Sequence, residues 1–203
     1  MIRLSDCCDV QIGLTAKGRL EPMPGGIRAI QLGDTTSDGE LGTKEIGTYQ
    51  FNEVAERYWA RPGDVVFRSR GEKNLAILLD ERLSQPAVAV MPLVILRPNK
   101  SMVIAEYLAW FINQPEAQHY FDLCARGTGM RMIPISSLSA LEIPLPPLER
   151  QRAIAETSSL ARLESRLASR LVERRQHLHS LSLLECAHVN DTTEFKTPHG
   201  GRA

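Results

Sequence analysis

The sequence predicts an α+β fold in which a compact body is followed by a long projecting α-helix that pairs as a coiled coil. Three observations support this. Short β-branched runs between glycine and proline turns dominate the early chain, and apolar segments of helical length follow them. Residues 148–197 then contain no proline or glycine, and leucine alternates there with arginine and glutamate. Strands first and helices later is the order typical of an α+β domain.

The body, residues 1–147, is expected to contain several strands and two helices. Apolar runs predict strands at 28–32, 64–67, 75–79 and within 87–96. The pair Gly33-Asp34 closes the first run, and Pro62-Gly63 leads into the second. Segments 104–113 and 115–124 have helical patterns, and we expect Asn113 to cap the second helix and Pro115 to lie in its first turn.

A rigid connector leads from the body into the long helix. Three of the four residues from Pro144 to Pro147 are prolines, so this strap must be extended. We expect one helix over 148–186, about 55 Å long at 1.5 Å per residue, and a disordered polar tail over 187–203. At 100° per residue, six leucines share one face, which predicts pairing with another helix; folding back onto the body is the alternative. This leucine stripe is Leu160, Leu163, Leu167, Leu171, Leu178 and Leu181.

The composition limits the classes of function. The 203 residues include 24 basic and 24 acidic ones, and residues 1–147 hold 15 basic and 17 acidic residues, a balance of −2. Gross charge therefore does not favour nucleic-acid binding. The absence of a long apolar run and of a signal-like start predicts no membrane association. The four cysteines lack metal-type spacing, which indicates free thiols in a reducing cytoplasm.

No catalytic set of residues stands out in the sequence. It has no GxxxxGK[ST] loop, no GxGxxG fingerprint and no HExxH motif. Four of the five histidines lie in the helix or the tail, where they cannot readily build a site with the body. We therefore expect no enzyme activity, no cofactor and no metal site in this chain.

Short loops in the body carry the residue types that proteins use to contact DNA. Arginine suits guanine, asparagine suits adenine, and serine and lysine suit phosphates. An ordinary solvated turn or loop is the alternative for each of them, and it is the favoured interpretation for residues 16–19 and for the tract 34–39. The candidate DNA-binding residues are Lys17 and Arg19; Asp34 and Thr35; Arg68, Ser69, Arg70, Lys73 and Asn74; and Arg126, Thr128 and Arg131.

Four ordered groups of residues carry a family resemblance. They are 30–34, 61–71, 127–138 and 143–154, with the sequences IQLGD, RPGDVVFRSRG, GTGMRMIPISSL and IPLPPLERQRAI. Their order and spacing resemble one target-recognition domain and its helix in the specificity (S) subunits of type I restriction-modification systems, over roughly residues 1–185. The strap departs from the family pattern because Arg150 separates Glu149 from Gln151.

The resemblance implies a non-catalytic subunit that binds double-stranded DNA sequence-specifically. It would position an N6-adenine methyltransferase (M) subunit, which binds S-adenosylmethionine, and in complete systems a restriction (R) subunit. Family members of full length have two recognition domains and two helices, so this chain looks like a half-length form that builds a homodimer through its helix. The alternative is a helix-mediated interaction adaptor or regulator without DNA contact, which the neutral charge favours.

Overall fold

The computed structural model describes residues 1–16, 18–36, 38–42, 45–127 and 131–188. The chain divides into two compact units, Met1–Glu156 and Thr157–Ala203. The fold combines sheets, short helices and a long C-terminal helix, so the predicted α+β class is confirmed. Pairing of the helix as a coiled coil stays a prediction. Within the described residues, no helix has the length and apolar content needed to cross a membrane.

Strands and helices are numbered in chain order. The strands are β1 (Ile2–Arg3), β2 (Cys8–Ile12), β3 (Pro22–Ile30), β4 (Thr48–Tyr49), β5 (Trp59–Ala60), β6 (Val65–Arg68), β7 (Ala76–Leu78), β8 (Ala87–Ala89), β9 (Leu93–Pro98) and β10 (Glu142–Ile143). The helices are α1 (Leu4–Cys7), α2 (Ala105–Ile112), α3 (Pro115–Cys124), α4 (Ile135–Ala140) and α5 (Leu148–His188).

An antiparallel sheet, in the order β2-β9-β6-β7, lies at the centre of the first unit. Residues 65–67 and 93–96 of its middle strands are all apolar, because both faces of the sheet are buried there. Val65 and Phe67 pack with α2 and α3 on one face, and Val66 packs into a separate cluster on the other. All three side chains are fully buried. This sheet therefore supplies a rigid base for the loop that follows β6.

A second sheet, in the order β4-β3-β8-β5, supplies the other wall of that second cluster. Its strands β3 and β8 run parallel, whereas the remaining pairs are antiparallel. A two-stranded pairing of β1 with β10 ties the N-terminus to the segment before the strap. The backbone N–H of Leu4 also donates to the carbonyl of Leu141 at 2.8 Å.

The long helix α5 begins directly after the proline strap, and its first two turns belong to the first unit. Gln151 is fully buried there, and Ala155 is 7% exposed. The compact unit thus extends to Glu156, past the expected limit of the body at 147, because these turns are buried in it. Beyond Glu156 nearly every described side chain is exposed, including the leucine stripe at 45–61%.

Three predictions about elements were wrong in detail. The strand expected at 28–32 is the end of β3, and Leu32–Asp34 forms a separate 3-10 turn. Asn113 does not cap α3, whose cap is Gln114, because its amide is bonded to β7. The helix α5 continues through 187 and 188, which were assigned to the tail. The rest of that tail lies outside the described residues.

Candidate nucleic-acid interface

Backbone pairing joins the two arginine-bearing loops. Arg70 pairs with Met132, and Met132 pairs with Arg126, in antiparallel bridges. Arg126 and Met132 exchange two backbone hydrogen bonds, of 2.9 and 3.0 Å. Next to Arg70, the N–H of Ile133 donates to the carbonyl of Ser69 at 2.8 Å. Met132 is therefore paired on both sides, with Arg126 six positions before it and with Arg70, which is 62 positions away.

The side chains of these three paired residues share one face. Residues directly opposite one another in antiparallel pairs project to the same side, and Nη2 of Arg70 lies 3.7 Å from Sδ of Met132. Both arginines are exposed, and Met132 is 38% exposed. We call Arg70, Met132 and Arg126 the Arg–Met–Arg ladder. It presents one arginine on each side of an apolar side chain.

Among the described residues, four arginines of the first unit have an acidic partner, and the ladder arginines are not among them. No ion pair within the described part of the chain involves Arg70, Arg126 or the nearby exposed Lys73. The positive charge is therefore local, although residues 1–147 carry a balance of −2. Acidic side chains are instead matched to other arginines: Arg61 with Glu56, Arg82 with Asp80 and Glu40, Arg97 with Asp9 and Asp64, and Arg131 with Asp122.

Arg68 connects the loop after β6 to a neighbouring turn. Its Nη1 donates to the carbonyl of Thr36 at 3.2 Å, and its Nε is buried without a hydrogen-bond partner among the described residues. The turn closes through a 3.3 Å bond from the N–H of Gly39 to the same carbonyl. Gly39 has a φ of +76°, a conformation that favours glycine. The predicted turn in 34–39 is thus confirmed, and the half-buried Arg68 is partly committed to holding it.

Four of the predicted DNA-binding residues have structural roles instead. Ser69 is 8% exposed and donates to the carbonyl of Pro92 at 2.6 Å. Asn74 is 3% exposed, and its amide donates to the carbonyl of Arg68 at 2.9 Å. A side chain that is buried and bonded in this way cannot reach a base edge, which corrects the prediction for these two.

The pair Asp34 and Thr35 closes the 3-10 turn after β3. The carboxylate of Asp34 accepts from the N–H of Gln31 at 2.8 Å, and the hydroxyl of Thr35 donates to the carbonyl of Leu32 at 2.7 Å. Sequence reasoning missed these local bonds because aspartate and threonine serve turns and DNA contacts equally well.

The remaining candidates are more dispersed. Arg131 is next to the ladder, but its guanidinium is paired with Asp122 of α3. Arg19 is exposed between β2 and β3, and no hydrogen bond among the described residues joins it to either arginine loop. Lys17 and Thr128 lie outside the described residues. The structure therefore brings together Arg68, Arg70, Lys73, Arg126 and Arg131, in two loops.

Two amide side chains hold the hairpin formed by β6 and β7 against the helices, a role that sequence analysis assigned to neither of them. Asn113 donates to and accepts from the backbone of Ala76, both at 2.8 Å. Gln118 donates to the carbonyl of Asn74 at 2.9 Å and to that of Ile112 at 2.7 Å. The position of the loop after β6 thus depends on α2 and α3 as well as on the sheet. The one sequence signal for this role was the location of Asn113 between two predicted helices.

Burial shifts the pKa of several groups elsewhere in the unit. Burial raises the pKa of Cys7 to about 11, and the pKa of Cys8 is also raised, chiefly by burial. Asp64 lies beside Arg97, yet burial raises its pKa. Within the described residues, no group of histidine, cysteine, aspartate and glutamate side chains could hold a metal ion. The exposed ladder is therefore the feature of the first unit with the clearest binding chemistry.

Comparison with known proteins gives a consistent picture. No family model matches the chain. A putative type I restriction enzyme MjaX specificity subunit from Methanocaldococcus jannaschii is 28% identical in an alignment of 155 positions that covers 74% of this chain and 36% of that protein. The chain thus spans about a third of the length of this curated relative. The resemblance to type I specificity subunits inferred from the sequence motifs is confirmed.

Solved structures share the fold. A chain from a study of complex assembly and conformational transition in a type I R-M system superposes with a TM-score of 0.61 at 23% identity, covering 92% of this chain and 43% of that one. The HsdS subunit from Thermoanaerobacter tengcongensis gives 0.56 at 23% identity, with coverages of 83% and 37%. A type I S subunit from M. genitalium gives 0.54 at 19% identity, with coverages of 78% and 37%.

Proposed function

Starting from the confirmed resemblance to type I specificity subunits, we propose that this chain reads part of a DNA target and positions an N6-adenine methyltransferase on it. In complete systems it also holds a restriction subunit. The chain itself is non-catalytic, and S-adenosylmethionine binds to the methyltransferase. DNA recognition belongs to the first unit, and assembly depends on α5.

One observation carries the DNA-binding part of this proposal. Two arginine-bearing loops are paired into one ladder, in which Arg70 and Met132 are 62 positions apart in sequence. The two arginines of this ladder have no acidic partner among the described residues. Exposed arginines on a rigid base suit guanine edges and phosphates in a groove. Lys73 adds a cation in the same hairpin. Local positive charge thus answers the objection that the body is neutral as a whole.

The assembly part of the proposal rests on the exposed leucine stripe. Leucines that are 45–61% exposed along one helix face leave an apolar seam uncovered. We propose that a second copy of the chain covers it, with the two helices antiparallel. A two-fold dimer would carry two recognition units, and its target would be a palindrome split by a spacer.

The proposal is tested by mapping adenine methylation across a host genome. The chain is expressed with its methyltransferase in cells that lack adenine methylation. We expect methylation at a single split motif, and none when either partner is expressed alone. Methylation at an unchanged motif without this chain would remove it from target recognition.

The rival function is a helix-mediated adaptor without DNA contact, which the neutral charge of the body favours. It predicts that the methyltransferase keeps its motif when Arg70 and Arg126 are both changed to alanine. Our proposal predicts a relaxed or lost motif in that double variant, while the complex still forms. Co-purification of the methyltransferase with the double variant distinguishes lost recognition from lost assembly.

A further inference from the structure

The centre of the ladder is an apolar side chain in a position where a DNA-binding surface is usually polar. Met132 is 38% exposed, whereas the next residue, Ile133, is 1% exposed and points into the core. Alternation along this extended segment fixes Met132 outward. Its sulfur lies 3.7 Å from Nη2 of Arg70, so the thioether is held by a donor on one side.

The two flanking arginines identify the kind of partner that this methionine meets. Arg70 and Arg126 are paired with Met132 on either side and have no acidic partner among the described residues. A partner that covers Met132 must also carry negative charge opposite the two arginines, as a polyanion does. In the major groove the one apolar feature of a base edge is the 5-methyl group of thymine. Methionine is flexible and polarizable, so it adapts to such a small apolar group.

We propose that Met132 is a specificity-determining residue that reads the 5-methyl group of a thymine, while Arg70 and Arg126 hold the neighbouring guanines or phosphates. This inference rests on the proposed function. It adds a base that the arginines alone do not read, and it explains why an exposed methionine stands in the middle of a charged surface.

Replacing thymine with deoxyuridine tests the proposal, because deoxyuridine lacks only the 5-methyl group. The preferred duplex is first selected from a random library with the complex of chain and methyltransferase. Each thymine of that duplex is then replaced in turn, and the dissociation constant is measured. We expect replacement at one position of the half-site to weaken wild-type binding about threefold to fivefold, the contribution of one buried methyl group.

Variants of the chain assign that effect to the side chain. Met132→Ala should bind the parent and the sensitive deoxyuridine duplex equally, and Met132→Leu should restore part of the preference. Met102→Ala is the matched control, because Met102 is 36% exposed and lies outside the ladder; it should keep the full preference.

Two outcomes would overturn the inference: no replacement weakens wild-type binding, or Met132→Ala keeps the same preference for thymine. Failure of the proposed function looks different, since the wild-type complex would then select no duplex, or the same duplex as the methyltransferase alone.

Discussion

Individual arginines of the first unit differ in whether their guanidinium group is already paired with a carboxylate. Arg61 is half exposed, but its guanidinium is paired with Glu56. Arg70 is exposed and has no acidic partner among the described residues. An anionic ligand therefore gains a new charge-assisted contact at Arg70, whereas at Arg61 it must compete with a carboxylate.

Replacing Arg70 by alanine should weaken binding of the preferred duplex by about 1–3 kcal/mol if Arg70 reads a guanine. Arg61→Ala is the control, and its effect should stay within about 0.5 kcal/mol. Fluorescence anisotropy titrations of the complex measure both. Equal losses for the two variants would mean that Arg70 contributes only general positive charge.

The cysteines should differ sharply in reactivity. Thiolate is the reactive form, and a pKa of about 11 for Cys7 leaves about one part in a thousand ionised at pH 8. Burial raises the pKa of Cys8 as well. Cys186 is exposed on α5. Iodoacetamide at pH 8 should therefore label Cys186 in the native protein and leave Cys7 and Cys8 unlabelled until urea is added, as mass spectrometry can show. Early labelling of Cys7 would contradict the burial.

At the scale of elements, the start of α5 is fixed by one buried amide. Gln151 accepts from the N–H of Ile104 at 3.1 Å, and it donates to the carbonyls of Met102 and Pro146, each at 2.9 Å. The strap and the helix are thereby joined to the segment that precedes α2. Gln151 therefore has a structural role, which is to join the strap and α5 to the segment before α2.

Gln151→Ala should lower the free energy of unfolding by about 2–4 kcal/mol, because it leaves buried backbone groups unpaired. Gln176→Ala, on the exposed part of the same helix, should change it by less than about 0.5 kcal/mol. Urea titration followed by circular dichroism and tryptophan fluorescence measures both. A wild-type midpoint for Gln151→Ala would show that water replaces the amide.

Some elements could be predicted from sequence because local patterns determine them. Pro115 at the first position of α3 and the unbroken apolar run of β6 both agree with the structure. The role of Asn113 could not be predicted, since it depends on a backbone group 37 positions away. Asn74 bonds a carbonyl only 6 positions away, but its burial depends on the tertiary fold. The sequence also did not predict that Met132 pairs with both Arg70 and Arg126, although both loops were identified as candidates.

At the scale of the whole molecule, the leucine stripe should decide the oligomeric state. Burying a leucine contributes roughly 1.5–3 kcal/mol, and the stripe offers six of them. Wild-type protein should therefore sediment as a dimer at micromolar concentration. Leu167→Glu with Leu171→Glu should give monomers with an unchanged helical spectrum.

The paired substitution Arg166→Glu and Arg170→Glu introduces the same residue type next to the stripe rather than in it, and this control should remain dimeric. A monomeric wild type would leave the methyltransferase as the partner of the stripe and rule out the homodimer.

The amide of Asn113 also bears on solubility. β7 is the last strand of its sheet, and such a strand offers free backbone groups to which another chain can add as a further strand. Asn113 already occupies the N–H and the carbonyl of Ala76, in the manner of a neighbouring strand. The side chain therefore closes this border of the sheet against intermolecular β-addition, which is a route to aggregation.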